Sequence, residues 1–332
     1  MAPVESSGGQ AVVACTHQHS QLLQLRRLAA QCQAQRQCQR LEPARRAERL
    51  GFMVKLVLQA LGHCGIMEVF NVGSSRFMAE VHVAAQQGFT KEARAYARGR
   101  PGYPPALSSW LTGPMGLATG RTVADVGAGT GKFTKLLLPT GANVVAVEPV
   151  DAMRAQIETG LPAVRALAGT AQSIPLPDAA LDAVVCAQAF HWFASRGTLD
   201  EFHRALGPGG KLGLVWNVRD ESVDWVAALT SIVTPYEGDA PRYYKGEWRL
   251  PFPHPGFSEL VESRFEYQHV GPPQQVIVDR FMSVSFIAAL APPDGAAVRE
   301  RIEALIATHP ALRGRETVSF PYHTLAFHCT RS

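Results

Sequence analysis

The segment Val123-Ala124-Asp125-Val126-Gly127-Ala128-Gly129-Thr130-Gly131 constrains this chain more than any other. A short apolar run, Thr122–Val126, ends in glycines at alternate positions, and Lys132–Leu138 then reads as a helix. A strand that turns through glycines into a helix makes a ligand crevice at the strand's C-terminal end, because glycine lets the backbone turn sharply and approach a bound molecule. Spacing narrows the choice of ligand. A P-loop needs glycine five positions before the Gly131-Lys132 pair, where this chain has Val126, and Ser or Thr where it has Phe133. A nicotinamide fingerprint, G-x-G-x-x-G, fails at Lys132 when started from Gly127 and at Thr134 when started from Gly129. What remains is G-x-G-x-G preceded by Asp125. Glu148 follows 17 residues past Gly131, at the end of a second apolar run, Asn143–Glu148. A carboxylate there can accept two hydrogen bonds from a ribose diol, so it supports an adenosine ligand without choosing between cofactors.

Downstream, strands and helices alternate. Asp151 is placed to cap a helix through Met153 and Ile157. Val164–Ala168 reads as a third strand. Leu181–Ala187 reads as a fourth, apolar throughout after Asp182, as a strand covered on both faces must be. Thr198 and Glu201 form a capping-box pattern before Leu199, Phe202 and Leu206. Leu212–Trp216 is the fifth strand, after the turn Pro208-Gly209-Gly210. Five strands with intervening helices predict a parallel, doubly wound α/β sheet. Beyond Trp216 the spacing predicts a helix around Val226–Val233, an aromatic and proline-rich loop over 236–257, a strand at Phe265–Val270 and a helix through Val298–Ile306 with Asp294 near its start. A terminal strand over Thr317–Cys329, bent at Pro321, completes the far edge.

Composition bounds the rest. Hydrophobic residues make up 46% of the 332 residues, enough for a sizeable core, and no uncharged apolar run reaches membrane-spanning length. Six scattered cysteines without a C-x-x-C pair argue against a disulfide framework and against a zinc site, so no metal is expected, and they fit a reducing compartment. The net charge of +4 falls within residues 1–80; the remainder is neutral and offers no electrostatic reason to bind nucleic acid. Residues 1–77, rich in Gln, Arg, Ala and Cys between Gln18 and Arg49, read as a poorly ordered extension, with residues 78–332 as the main domain. A cytoplasmic location is expected, or a mitochondrial one if the Arg-rich extension is a transit peptide.

The glycine pattern after Asp125 resembles motif I of the class I S-adenosylmethionine-dependent methyltransferases. Gly169-Thr170-Ala171-Gln172-Ser173-Ile174-Pro175-Leu176-Pro177-Asp178, followed by Leu181-Asp182-Ala183-Val184-Val185, is similar to a stretch of the type 11 family, typified by ubiquinone-biosynthesis C-methyltransferases. Leu206-Gly207-Pro208-Gly209-Gly210-Lys211 looks like that family's turn before strand five. Ala95–Pro104, Gln188–Phe193, Trp216-Asn217 and Phe320–Thr324 resemble a branch containing trans-aconitate and cantharidin methyltransferase-like proteins, which act on small molecules. The resemblance covers residues 89–331.

It implies a doubly wound, seven-stranded, mostly parallel Rossmann-like sheet and S-adenosyl-L-methionine as cofactor. By position, Gly127, Gly129 and Gly131, beside Asp125, would wrap the methionine part, and Glu148 would bind the ribose. Met153 would pack on adenine, with Thr170, Ala171 and Gln172 along its edge. Gln188 and Ala189 would lie beside the sulfonium. Thr170 stands where many relatives carry Asp, and a hydroxyl accepts the adenine amino group more weakly than a carboxylate.

Methyl transfer requires mainly that water be excluded and the acceptor held in line with the C–S bond. A carboxylate acceptor needs only positioning, by Arg98 or Arg100. A phenol or alcohol needs a proton acceptor, for which His191 is the residue in place. Tyr96 and Tyr103 are expected to close over cofactor or acceptor, and Trp216, Asn217, Tyr322 and His323 to line the acceptor pocket; plain packing is the alternative for each. The expected partner is a small-molecule methyl acceptor, with no nucleic acid and no membrane, in a monomer or homodimer. A non-catalytic cofactor-binding or interaction protein is the alternative reading.

Overall fold

The computed structural model describes residues 99–332. The boundary at residue 77, and the site residues Tyr96 and Arg98, lie outside the described residues. In chain order the main elements are α1 (Leu107–Thr112), β1 (Thr122–Val126), α2 (Thr134–Leu137), β2 (Asn143–Val147), α3 (Asp151–Gly160), β3 (Arg165–Leu167), β4 (Leu181–Ala187), α4 (Arg196–Ala205), β5 (Leu206–Arg219), α5 (Asp224–Val233) and β6 (Val261–Gly271). A π-turn segment, Gln274–Asp279, runs into α6 (Arg280–Met282), and α7 (Ser285–Ala288), α8 (Pro292–Thr308) and β7 (Val318–Thr330) follow. The seven strands form one sheet in the order β3-β2-β1-β4-β5-β7-β6. The first five are parallel, and β7 pairs antiparallel with both β5 and β6. The doubly wound, mostly parallel α/β sheet anticipated from the alternation is therefore the fold.

The central strands are apolar because both sheet faces are covered. Val123, Ala124 and Val126 of β1 and Ala183, Val184, Val185 and Cys186 of β4 are all buried. One face packs on Phe190, Leu199, Phe202 and Trp248, the other on Leu107, Trp110, Leu137 and Ile157. A third cluster, around Val276, Phe281, Val298, Phe320 and Tyr322, joins the C-terminal helices to the antiparallel strands.

Several local expectations are corrected. Val150, not Asp151, is the N-cap of α3; Asp151 is its first residue, where an acid suits the helix dipole, and it pairs with Arg154 at 2.6 Å. Helix α4 starts earlier than the Thr198/Glu201 pattern places it. Its cap is Ser195, whose Oγ accepts from Thr198 N at 3.1 Å. Glu201 instead accepts from Ile174 N at 2.7 Å and pairs with Arg204. The helix after the glycine loop is short, because Pro139 turns its end into 3-10 geometry. β7 pairs with β6 without interruption through Pro321, which lies one residue beyond the last pair with β5, so its missing N–H costs that ladder nothing.

Candidate functional site

Register brings the two strongest motifs together. Val126 of β1 is level with Val147 of β2, so the strands end side by side and Gly127 N donates to Val147 O at 2.9 Å. The next residue on β2's side is Glu148. Its carboxylate is 5% exposed and accepts from Gly129 N at 2.8 Å and Val150 N at 2.9 Å. Burial raises its pKa, against those two backbone bonds and Arg154, which lower it. Gly127 has φ +73°, and a Cβ there would stand 2.8 Å from that of Ala189. Loop and strand-four tip thus meet at a distance only glycine allows.

The cleft above these ends encloses about 1290 Å³, its open mouth included. Asp125, Gly127, Gly129, Glu148, Met153, Thr170, Ala171, Gln172, Gln188 and Ala189 all line it. Gly131 is not among the lining residues: a Cβ there would press on Leu161 at 3.0 Å and Ile157 at 3.1 Å, so this glycine seats the loop against the end of α3. Gln188 holds φ +59°, a left-handed conformation uncommon for a residue with a side chain, at the tip of β4.

Asp125 is fully buried in the cleft floor. Thr134 Oγ1 donates to its Oδ2 at 2.7 Å, while Oδ1 has no partner. Burial pushes its pKa up to about 7, with the Thr134 bond opposing and nearby Glu148 adding to the rise.

The sheet order divides the cleft. Residues following β2 and β3 (Glu148, Met153, Thr170–Gln172) make one side. Arg100, Tyr103, Lys132, Trp192 and Arg280 make the other, and Arg280 comes from α6, beyond the antiparallel strand β6. Lys132 lies beneath Arg100, donating to its carbonyl oxygen; burial, then Arg100 and Arg280, lowers its pKa to about 8. Tyr103 packs edge-on against Phe133 at 4.9 Å.

Other expected site residues sit elsewhere. His191 is not among the lining residues, and its Nδ1 accepts from Trp216 Nε1 at 3.1 Å. Burial, with Arg242 and Arg100 nearby, lowers its pKa to about 3. The neutral ring then carries its proton on Nε2, so neither nitrogen is a ready base, and the proton-acceptor role is not supported. Trp216 is buried against Trp248 at 4.6 Å. Asn217 donates to Gly102 O at 2.7 Å and accepts from Thr324, tying the segment before α1 to β5 and β7. Tyr322 is fully buried, and His323 lies between Asp220 and Glu266. None of these four lines the cleft; they support its wall. Conversely Lys132, Phe133, Val150, Trp192, Phe193 and Arg280 line it without having been singled out. Phe193 and Trp192 sat in the quoted aromatic string, whereas nothing near Arg280 signals a site. Among the described residues no cluster of His, Cys, Asp or Glu could hold a metal ion, and no helix is long and apolar enough to cross a membrane.

A parallel-to-antiparallel sheet with a glycine loop and an acid at adjacent strand ends defines a class I methyltransferase domain. A family model described as a methyltransferase domain matches residues 124–214. The chain is 39% identical over 236 residues to an uncharacterized methyltransferase of Mycobacterium tuberculosis, covering 71% of this chain and 92% of that one. It is 34% identical over 169 residues to a malonyl-[acyl-carrier protein] O-methyltransferase of Yersinia pestis, covering 46% of this chain and 61% of that one. Among solved structures it is similar to a candidate type II methyltransferase from Anaeromyxobacter dehalogenans, with TM-score 0.50, 25% identity and coverage of 70% and 96%. This chain belongs to the methyltransferase family.

Proposed function

We propose that the protein uses S-adenosyl-L-methionine to methylate an oxygen of a small acceptor, and that this oxygen belongs to a carboxylate. The observation that carries the reading is the cleft floor. Asp125 Oδ1 is a buried acceptor without a donor, where the ammonium of a methionine moiety would supply one. Glu148 follows β2 and Thr170 follows β3, the neighbouring strand, so a ribose held at the first would direct its base toward the second. The space left by Gly129 ends 4.0 Å from Met153 Sδ, so the loop leaves room for a ligand against that side chain. These residues fit the cofactor.

When bound, that cofactor supplies a methyl group on a cationic sulfur with a good leaving group. The chain's own residues then hold and exclude. Glu148 grips the ribose diol, Met153 and Val150 cover the base, and Trp192 and Phe193 wall off water. Arg100 faces the acceptor and orients an anionic group. A carboxylate is already ionised at neutral pH and needs no base, in keeping with the engaged His191 and with the cationic lining of the acceptor side. The O-methyltransferase of Yersinia pestis agrees with an oxygen acceptor.

Calorimetry with S-adenosylhomocysteine, then transfer of labelled methyl to a panel of carboxylic acids and phenols, tests the reading. Binding near micromolar affinity and transfer to an acid are expected. Glu148→Ala and Glu148→Gln should each weaken binding ten- to a hundredfold, from loss of charge-assisted bonds worth about 1.5–3 kcal/mol. Binding without transfer to any acceptor would leave a non-catalytic binder, and no binding would remove the function.

A further inference from the structure

β6 is an open edge that lacks the safeguards such edges carry. Its 11 residues, Val261–Gly271, pair with β7 on one side, and among the described residues no strand lies on the other. Free edges are kept from pairing by shortness, by proline or lysine, by a bulge, or by a charge on the core-facing side. This strand has no proline and no lysine, and its register with β7 runs unbroken. On its core-facing side Ser263, Phe265, Tyr267 and His269 are only half-buried, and Phe265 and Tyr267 pack at the margins of two core clusters. His269 is uncharged at neutral pH, because burial, then Lys132 and Arg280, lowers its pKa to about 4. The outer face carries a row that complements itself. Leu260, just before the strand, is followed by Glu262, Arg264, Glu266, Gln268 and Val270. Arg264 and Glu266 lie 4.0 Å apart with side chains 57% and 74% exposed, and Val270 is 60% exposed.

We propose that β6 is the interface of a homodimer, in which two copies of this chain pair antiparallel about Phe265 and join their sheets into one. Run against itself in that register, the outer row sets Leu260 opposite the partner's Val270, Glu262 opposite the partner's Gln268 and Arg264 opposite the partner's Glu266, and the two-fold axis repeats each pair in reverse. On the other face Phe265 meets its own copy at the axis. The register is constrained. A two-fold axis normal to the sheet keeps each face on its own side, so the pairing must centre on a residue. Centring on Arg264 or Glu266 opposes like charges. Centring on Tyr267 or Gln268 leaves Arg264 without an acid, and centring on Ser263 pairs less than half of the strand. A second copy is the fitting occupant because every member of the outer row finds its complement within the row itself. The paired stretch, Val261 to His269, is about 30 Å long at the rise of an antiparallel strand. Backbone bonds make up most of such an interface, so its affinity should be micromolar.

Sedimentation equilibrium of the full-length chain between about 1 and 100 μM tests this. We expect a reversible dimer. Arg264→Glu and Glu266→Arg each turn two opposite-charge pairs into like-charge pairs, and each should weaken the dimer about tenfold or more. Arg264→Glu combined with Glu266→Arg restores opposite signs in this register, and the dissociation constant should return to within about threefold of the parent's. Both side chains are exposed, so the variants leave the core intact, and thermal melts by circular dichroism verify that. Recovery in the double variant is a result that loss of a local contact, such as Glu266 with His323 Nδ1 at 3.2 Å, cannot produce. A monomer at every concentration overturns the proposal, and hydrogen exchange of the β6 amides then shows whether the edge is bare or covered by residues 1–98 of its own chain. A dimer indifferent to both single variants uses another surface and overturns it as well. A double variant no tighter than the single ones overturns the pairing about Phe265.

Discussion

Asp125 illustrates how a side chain can be destabilising and useful at once. Its carboxyl is enclosed by protein, one oxygen is satisfied by Thr134 and the other is not, and its pKa lies near 7 against 3.8 for the free group. The native state therefore holds a proton there that the unfolded chain has released, and stability falls as pH rises from about 4 to about 7. Three units correspond to about 4 kcal/mol at full size. Asp125→Asn should flatten this slope, which urea unfolding at a series of pH values would measure; an unchanged slope would show that the carboxyl titrates normally. Glu148 was readable from sequence because a lone acid at the end of an apolar run has a fixed place in such a sheet. Arg280 was not, since its meaning depends on what fails to surround it: its Nε and Nη1 have no hydrogen-bond acceptor. The His191 imidazole, chosen for its place past strand four, turned out to be committed to the Trp216 indole.

Among elements, the parallel strands were the easiest to read and helix starts the hardest. β1 and β4 are continuous apolar runs because helices cover both faces, and that pattern leaves few alternatives. At α4, Ser195 and Thr198 are three residues apart, as are Thr198 and Glu201, so two overlapping cap patterns competed and the tertiary bond from Ile174 drew Glu201 away. Ser195→Ala should cost about 1 kcal/mol in chemical denaturation, and Thr198→Ala would instead remove the hydroxyl's bond to Phe193 O. Residues 274–288 carried no helical period at all. Val276, Ile277 and Val278 are buried in succession, on a turn wrapped by β6, β7 and α8, so the apolar stripe that marks a surface helix is missing. The segment that supplies Arg280 was thus the least visible in the sequence.

Across the molecule, the sheet grades from a doubly covered centre to exposed margins. β1 and β4 are flanked on both sides, while β3 is three residues long at one edge and β6, with Val261 and Val270 exposed, is the other. Hydrogen exchange should find the amides of β1 and β4 opening only with global unfolding and those of β3 and β6 earlier; equal protection across all seven would contradict the packing. The wall opposite Glu148 and Thr170 draws on a wider span of chain, since Lys132 and Trp192 fall inside residues 124–214 and Arg100, Tyr103 and Arg280 outside them. Residues 125–189 furnish the cofactor floor, within the stretch the family model matches, whereas Arg280 lies after it. On the function proposed above, the residues that would hold the methyl donor fall inside the matched stretch while Arg280 reaches the cleft from beyond it, so substitutions in the later segment would leave donor affinity in place.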